Sequence, residues 1–512
     1  MIRKTNNPVV FFKILFLVFL LPLSVHLIAD DKGNDKALTI TRLEKKLEDA
    51  ITEEKPGLLN TLASEYLSID AKKAKEFAQE AIELSRVLEN TDEQLKGFYF
   101  LGESYYYLED HNLAIDTYLS LLDLLENSNN DTLKAETYLS LGLSYDAIDN
   151  PKEAKHYLLR SLEIEEELGR KPKIAANYFY LGNTLYNLNN FQSAIQYFNK
   201  SLEIYNELEN EKWIASVHNT VGTVYADLGS FEKALEHYKS SLAIEEKTKD
   251  KAGMARTLNN IGIVYSEWNH KEKALEYYQK SLLLEKDIEN KVGVAGSYNN
   301  IGIIYSDWEQ DKIALDYYQK ALSIYEEFHN DQGIANAVNN MGESFFKLGN
   351  HELALEYLFR SLKYEQENEN ILGIASSYHS IGEVYYKLGK FKDAIEYNNK
   401  SYQLAKSHEL SSILLLNYKL YYDIYSSQKN PTKALEYFKL YAEQKDTVYS
   451  HDFQKNIAEL QAQFEIDKID REKDLLVKKF EKKEKEVKTQ RIYLVVIFFL
   501  MIVFGILVYY DI

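Results

Sequence analysis

Paired asparagines recur at a fixed interval in the middle of this 512-residue chain. Asn259 and Asn260, Asn299 and Asn300, and Asn339 and Asn340 stand 40 residues apart, and Asn219 opens the series. An amide side chain offers two N–H donors and an acceptor. A column of amides can therefore grip the backbone of an extended peptide without reading its side chains. The same amides can instead bond a neighbouring turn and hold nothing. Asparagine is a poor helix former, so its repetition inside helical sequence calls for one reason or the other. Arg256, Glu267 and Asp307 fall on the same face and would add charge preference.

Little else in the chain has the spacing that chemistry needs. There is no cysteine, which removes disulfides, thiolate zinc sites and cysteine nucleophiles together. The 11 histidines show no ligand spacing. Phosphate-loop, His-Glu-x-x-His and Gly-x-Ser-x-Gly patterns do not occur. Ser407-His408-Glu409-Leu410 matches the start of the phosphoacceptor box of sensor histidine kinases. That box continues Arg-Thr-Pro-Leu, whereas this chain continues Ser411-Ser412-Ile413-Leu414, and no glycine-rich ATP-binding segment follows. A polar helix terminus is the plainer reading. Enzymatic activity, a metal and a cofactor are not expected. A net charge of −19 argues against nucleic acid as partner.

The elements that must carry the asparagines repeat with the same period. Gly102, Gly142, Gly182, Gly222, Gly262, Gly302, Gly342 and Gly382 form an unbroken series. Twelve residues after each stands Ala114, Ala154, Ala194, Ala234, Ala274, Ala314, Ala354 or Ala394. An apolar residue precedes each glycine, such as Ile261 or Ile301, and an aromatic usually follows three later, such as Tyr265 or Tyr305. Four after the alanine comes a large side chain, such as Phe198, Tyr238 or Tyr278. These spacings describe one face of each of two paired helices, with the small residues letting the two backbones come close. Leu228-Gly229-Ser230, Leu348-Gly349-Asn350 and Leu388-Gly389-Lys390 read as the turns between them. Asn150-Pro151 and Asn430-Pro431 read as an N-cap followed by proline at the first helical position.

Leu-Gly-x-x-Tyr followed by Ala-x-x-x-Phe resembles the tetratricopeptide repeat. The resemblance runs from about residue 37 to 450, with a degenerate copy around Tyr425 and Ala434 and another around Tyr66 and Ala74. The family's usual period is shorter, so the 40-residue spacing resembles the variety found in kinesin light chains and in many bacterial signalling receptors. The resemblance implies an all-α fold: a right-handed superhelical solenoid of antiparallel helix pairs whose first helices line a concave groove. It also implies a protein or peptide ligand in that groove, against Asn219, Arg256, Asn259, Asn260, Asn299, Asn300, Asn339 and Asn340. Gly253, Gly293, Gly333 and Gly373 would sit near the joint to the next repeat. Trp268 and Trp308 either stack on a ligand or pack on the next helix.

The two ends are apolar. Arg3, Lys4 and Lys13 precede an apolar run from Ile14 to Ala29, which reads as a signal peptide over 1–29, cleaved or retained as an anchor. Ile492 to Tyr510 carries no charge and rises roughly 28 Å as a helix, enough for one transmembrane crossing. Between them, 451–491 loses the repeat. It carries Leu460, Phe464, Ile466, Ile469, Leu475, Leu476 and Phe480 in imperfect heptads, a coiled-coil-like helix that would join two copies into a homodimer, or else a solvated spacer. The order of parts resembles the sensor half of bacterial membrane receptors without an output domain. The expected arrangement is a membrane protein, single-pass near its C-terminus, with the array on the extracytoplasmic (periplasmic) side. Nine Lys or Arg against five Asp or Glu between Arg471 and Arg491 favour the opposite orientation, that of a cytosolic tail-anchored adaptor.

Overall fold

The computed structural model describes residues 33–126 and 128–446, and among these every regular element is an α-helix. The segments read as leader (1–29), linker (451–491) and membrane span (492–510) lie outside the described residues. Among the described residues no helix is long and apolar enough to cross a membrane.

The helices fall into two compact units that meet between Val224 and Tyr225. The first holds α1 (Gly33–Asp49), α2 (Lys55–Tyr66), α3 (Ala71–Val87), α4 (Thr91–Tyr107), α5 (His111–Leu125), α6 (Asp131–Ala147), α7 (Pro151–Leu168), α8 (Lys171–Asn187) and α9 (Phe191–Glu207). Helix α10 (Glu211–Asp227) contains the boundary. The second unit holds α11 (Phe231–Thr248), α12 (Lys251–Glu267), α13 (Lys271–Asp287), α14 (Lys291–Asp307), α15 (Asp311–Glu327), α16 (Asp331–Lys347), α17 (His351–Glu367), α18 (Ile371–Lys387), α19 (Phe391–Ser407), α20 (Ser411–Ser427) and α21 (431–446).

Most helices are 17 residues long and most turns are three, so a helix begins every 20 residues. First and second helices of a pair are thus about equally long. The turns explain the regularity. The middle residue is left-handed: Gly229, Gly349 and Gly389 at φ 75°, 78° and 72°, as the sequence led one to expect. Glu109, Glu289, Glu309 and His329 adopt the same conformation without being glycine. A 6→1 backbone bond closes each such turn, as where the His270 N–H donates to the Tyr265 carbonyl at 2.7 Å. At many of these turns an asparagine or aspartate then caps the next helix, whereas His270, Gln310, Lys390 and Leu410 make no side-chain cap bond. The Asn150 side chain accepts from the Glu153 N–H ahead of Pro151, and Asn430 accepts from Lys433 at 3.2 Å.

Within a pair, the repeat glycine makes room less for backbone than for a ring. A Cβ on Gly262 would lie 2.6 Å from the Tyr278 ring, and one on Gly182 2.6 Å from Phe198. Where the second helix offers leucine, as at Leu158 and Leu358, a Cβ on Gly142 or Gly342 would also lie within 3.3 Å of the Ala154 or Ala354 carbonyl. The alanines at the matching position, Ala114 through Ala394, are fully buried. In the first unit, the core around Leu95, Tyr118, Leu121, Leu125 and Leu141 joins successive pairs, and α1 covers α2 through Ile40. In the second unit, Ile301 and Ile304 close over Ala274, and Ile381 and Val384 over Ala354. Within each unit, first helices of neighbouring pairs approach one another directly: α4 meets α6, and α16 meets α18. They form a continuous wall.

Candidate functional site: the first-helix wall

The asparagines stand on this wall in the second unit, on α12, α14 and α16. Asn300 Nδ2 donates to Asn259 Oδ1 at 2.8 Å, and Asn340 Nδ2 donates to Asn299 Oδ1 at 3.0 Å. The amides thus bond their counterparts on the neighbouring first helix, not the neighbouring turn. Each bond spans 41 residues, one repeat plus one. The same offset links Lys347 Nζ to Ser306 Oγ at 2.8 Å and Tyr386 OH to Ser427 Oγ at 3.1 Å. In the first unit it links Asn187 Nδ2 to Asp146 at 3.3 Å. Asn259, Asn260, Asn299, Asn339 and Asn340 are half-buried, and Asn300 is buried. Asn219 lies in the first unit and is buried.

Charge follows the amides along the wall. Asn339 Nδ2 donates to Glu343 Oε1 at 3.2 Å. Burial raises the Glu343 carboxyl above its ordinary range, Lys347 and Asn339 oppose that, and Glu383 reinforces it. Asp423, one repeat beyond Glu383, is likewise raised by burial. His379 occupies the place that asparagine holds in the preceding pairs. Its Nδ1 lies 3.3 Å from Asn417 Oδ1, and its Nε2 lies 3.8 Å from Glu383. Arg256 is exposed, and its charge acts on the Glu245 and Glu285 carboxyls. Asp307 is paired with Lys271 at 3.2 Å.

The tryptophans pack. Trp268 lies 5.8 Å from the Phe231 ring and 5.2 Å from His270, and Trp308 joins the cluster around Ala274, Tyr278 and Ile304. His408 is the exposed C-cap of α19, a polar helix end.

One group of residues was not singled out from sequence: buried carboxylates at the joints between pairs. Glu285 accepts from Asn290 Nδ2 at 2.7 Å, and Glu365 from Asn370 Nδ2 at 2.7 Å. Glu245 accepts from Ser241 Oγ and Thr257 Oγ1, both at 3.0 Å. Burial raises all three carboxyls. Each lies against the glycine eight residues later, Gly253, Gly293 or Gly373, where a Cβ would collide with the carboxylate. These three glycines sit at the joint for this reason, whereas at Gly333 a Cβ would meet the Tyr325 ring instead.

The tetratricopeptide-repeat family model matches residues 93–167, 135–207, 213–284, 272–327 and 333–407, more than half of the chain. No curated protein matches the sequence. Among solved structures, the apo form of the quorum sensor NprR from B. thuringiensis is similar with a TM-score of 0.50 and 15% identity, over 73% of this chain and 99% of that one. A Rap protein complexed with competence and sporulation factor gives 0.48 and 20% over 71% and 99%. Aspartyl phosphate phosphatase F from Bacillus subtilis gives 0.47 and 17% over 69% and 95%. At these identities the likeness concerns fold alone. With its 40-residue helix pairs, and a family match covering most of them, the chain belongs to the tetratricopeptide-repeat family.

Proposed function

We propose that the chain is a protein–protein interaction module that holds an extended peptide or partner segment against the first-helix wall of its second unit. The observation that carries this is the asparagine column. Each cross-helix bond engages one of the two N–H donors of an amide, so it fixes the amide's orientation without exhausting its hydrogen-bonding capacity. A preoriented amide loses little entropy when it engages a peptide backbone. Half-burial keeps the amides within reach while shielding the bonds they make. No catalytic role is assigned to the wall.

The test uses the full chain as bait for a displayed library of unstructured peptides. Replacing Asn259, Asn299 and Asn339 together by alanine should weaken the enriched peptides at least about tenfold, near 1 kcal/mol per lost bond, with helicity unchanged. Equal affinity would remove the wall as the binding surface.

We read the module as membrane-tethered through Ile492 to Tyr510, with the array outside the cytoplasm. The uncharged span and the apolar Ile14 to Ala29 segment support that reading. A receptor subunit relaying to a separate effector is the extension that a coiled-coil linker would support. The basic Arg471 to Arg491 flank instead supports a cytosolic tail-anchored adaptor.

A further inference from the structure

In the second unit, carboxylates on the wall stand beside cations of the protein's own: Glu343 beside Lys347, and Asp423 beside Lys419 and Lys387. The first unit has a different wall. Its first helices α4, α6 and α8 approach one another in succession, and they carry Glu103, Asp146 and several tyrosines. Glu103 is 7% exposed, and its partners are hydroxyls: Tyr118 OH donates to its Oε1 at 2.7 Å and Ser140 Oγ donates to it at 2.6 Å. Both bonds fall on one oxygen, and a carboxylate has about four acceptor sites. Asp146 is half-buried and accepts from Asn187 Nδ2. Among the described residues neither carboxylate has an ion pair.

A buried hydroxyl is left over at the same place. Tyr180 of α8 is 6% exposed, and its OH has no hydrogen-bond partner among the described residues, a costly state for a buried polar group. Burial raises the pKa of that hydroxyl, and Tyr205 of α9 together with Tyr106, Tyr107 and Glu103 of α4 raises it further. Tyr180 thus lies within electrostatic reach of α4, across α6. Tyr106 is half-buried and is raised by burial as well, with Glu103 and Asp146 adding to it. The four side chains therefore share one stretch of wall.

We infer that Glu103, Asp146, Tyr106 and Tyr180 form a binding site for a primary ammonium group on the first-helix wall of the first unit. An ammonium has three N–H donors and no acceptor, which suits two carboxylates and a phenol oxygen that has no other partner. The Tyr106 ring adds an aromatic surface that attracts a cation over its face. The bound cation supplies here the positive charge that Lys347, Lys387 and Lys419 supply in the second unit. An anion or an apolar group would leave both carboxylates uncompensated. Two sources share this chemistry: a lysine side chain of a peptide and a free amine. The site does not rest on the asparagine column, which lies on other helices.

Titration calorimetry on the full chain in mild detergent, at low salt, tests this with three probes: n-butylammonium chloride, the capped peptide acetyl-Gly-Lys-Gly-amide, and n-butanol as the neutral control. At least one ammonium probe should bind, and whichever binds identifies the source; n-butanol should bind at least about tenfold more weakly. Glu103→Gln should weaken the ammonium probe at least about tenfold, since a charged hydrogen bond becomes a neutral one. Tyr180→Phe should weaken it roughly fivefold and leave the melting temperature unchanged or raised, because the hydroxyl it removes bonds nothing in the protein. A purely structural hydroxyl would not separate those two readouts. Binding of neither ammonium probe, equal binding of n-butanol, an affinity unchanged by either substitution, or a melting temperature lowered by Tyr180→Phe would overturn the inference. None of these readouts involves Asn259, Asn299 or Asn339, so failure here leaves the asparagine wall standing.

Discussion

The Glu365 carboxylate is 5% exposed, faces Gly373, and has Asn370 Nδ2 as its hydrogen-bond partner. Burial disfavours its charged form and raises its pKa in the folded state above the unfolded value near 4.3. Protonation therefore favours folding: the contribution is complete below about pH 4.3 and is lost as pH rises through the folded pKa. Glu285 has the same surroundings and the same direction. Replacing both by glutamine should flatten the dependence of melting temperature on pH. The variant's advantage should be largest near pH 8 and shrink toward pH 4; parallel curves would contradict the assignment. Such carboxylates hide among the many surface glutamates of an acidic chain. The clue lay in pairing Glu245, Glu285 and Glu365 with a glycine eight residues on, which a list of carboxylates alone does not show. The asparagines were legible as a column, but their partners were not. A 40-residue period says nothing of the one-residue axial offset that joins Asn259 to Asn300.

At the scale of the helix pair, the register of small and large residues carried most of the information. Ala274 is fully buried beneath Ile301 and Ile304, so Ala274→Leu should cost about 1–3 kcal/mol by overpacking and lower the melting temperature. An unchanged melting temperature would mean that the pairing is wrong. The glycine turns were read from Gly229, Gly349 and Gly389, but Glu109, Glu289 and Glu309 take the same left-handed conformation without a turn-forming side chain. Only the helix spacing locates those. The repeat glycine was expected to bring backbones together, whereas it chiefly admits a ring from the second helix, as Tyr278 shows against Gly262. Residue types told that something large must sit there, and geometry told what.

Each of the two units repeats one design: a wall of first helices backed by second helices. Stability in such arrays is a sum of pair and neighbour terms. The wall differs along its length, with amides on α12, α14 and α16 and carboxylates at Glu343, Glu383 and Asp423. The orientation of the array across a membrane can be read directly. A reporter active only outside the cytoplasm, fused after Tyr449, should be active, with its inside-active counterpart silent. The reverse pattern would make the basic flank the orienting feature and the chain a cytosolic adaptor. The central claim concerns the wall itself, and hydrogen exchange of the full chain with and without a library-enriched peptide tests it most directly. The account predicts added protection on α12, α14 and α16, centred on Asn259, Asn299 and Asn339; protection confined to α13, α15 and α17 would contradict it.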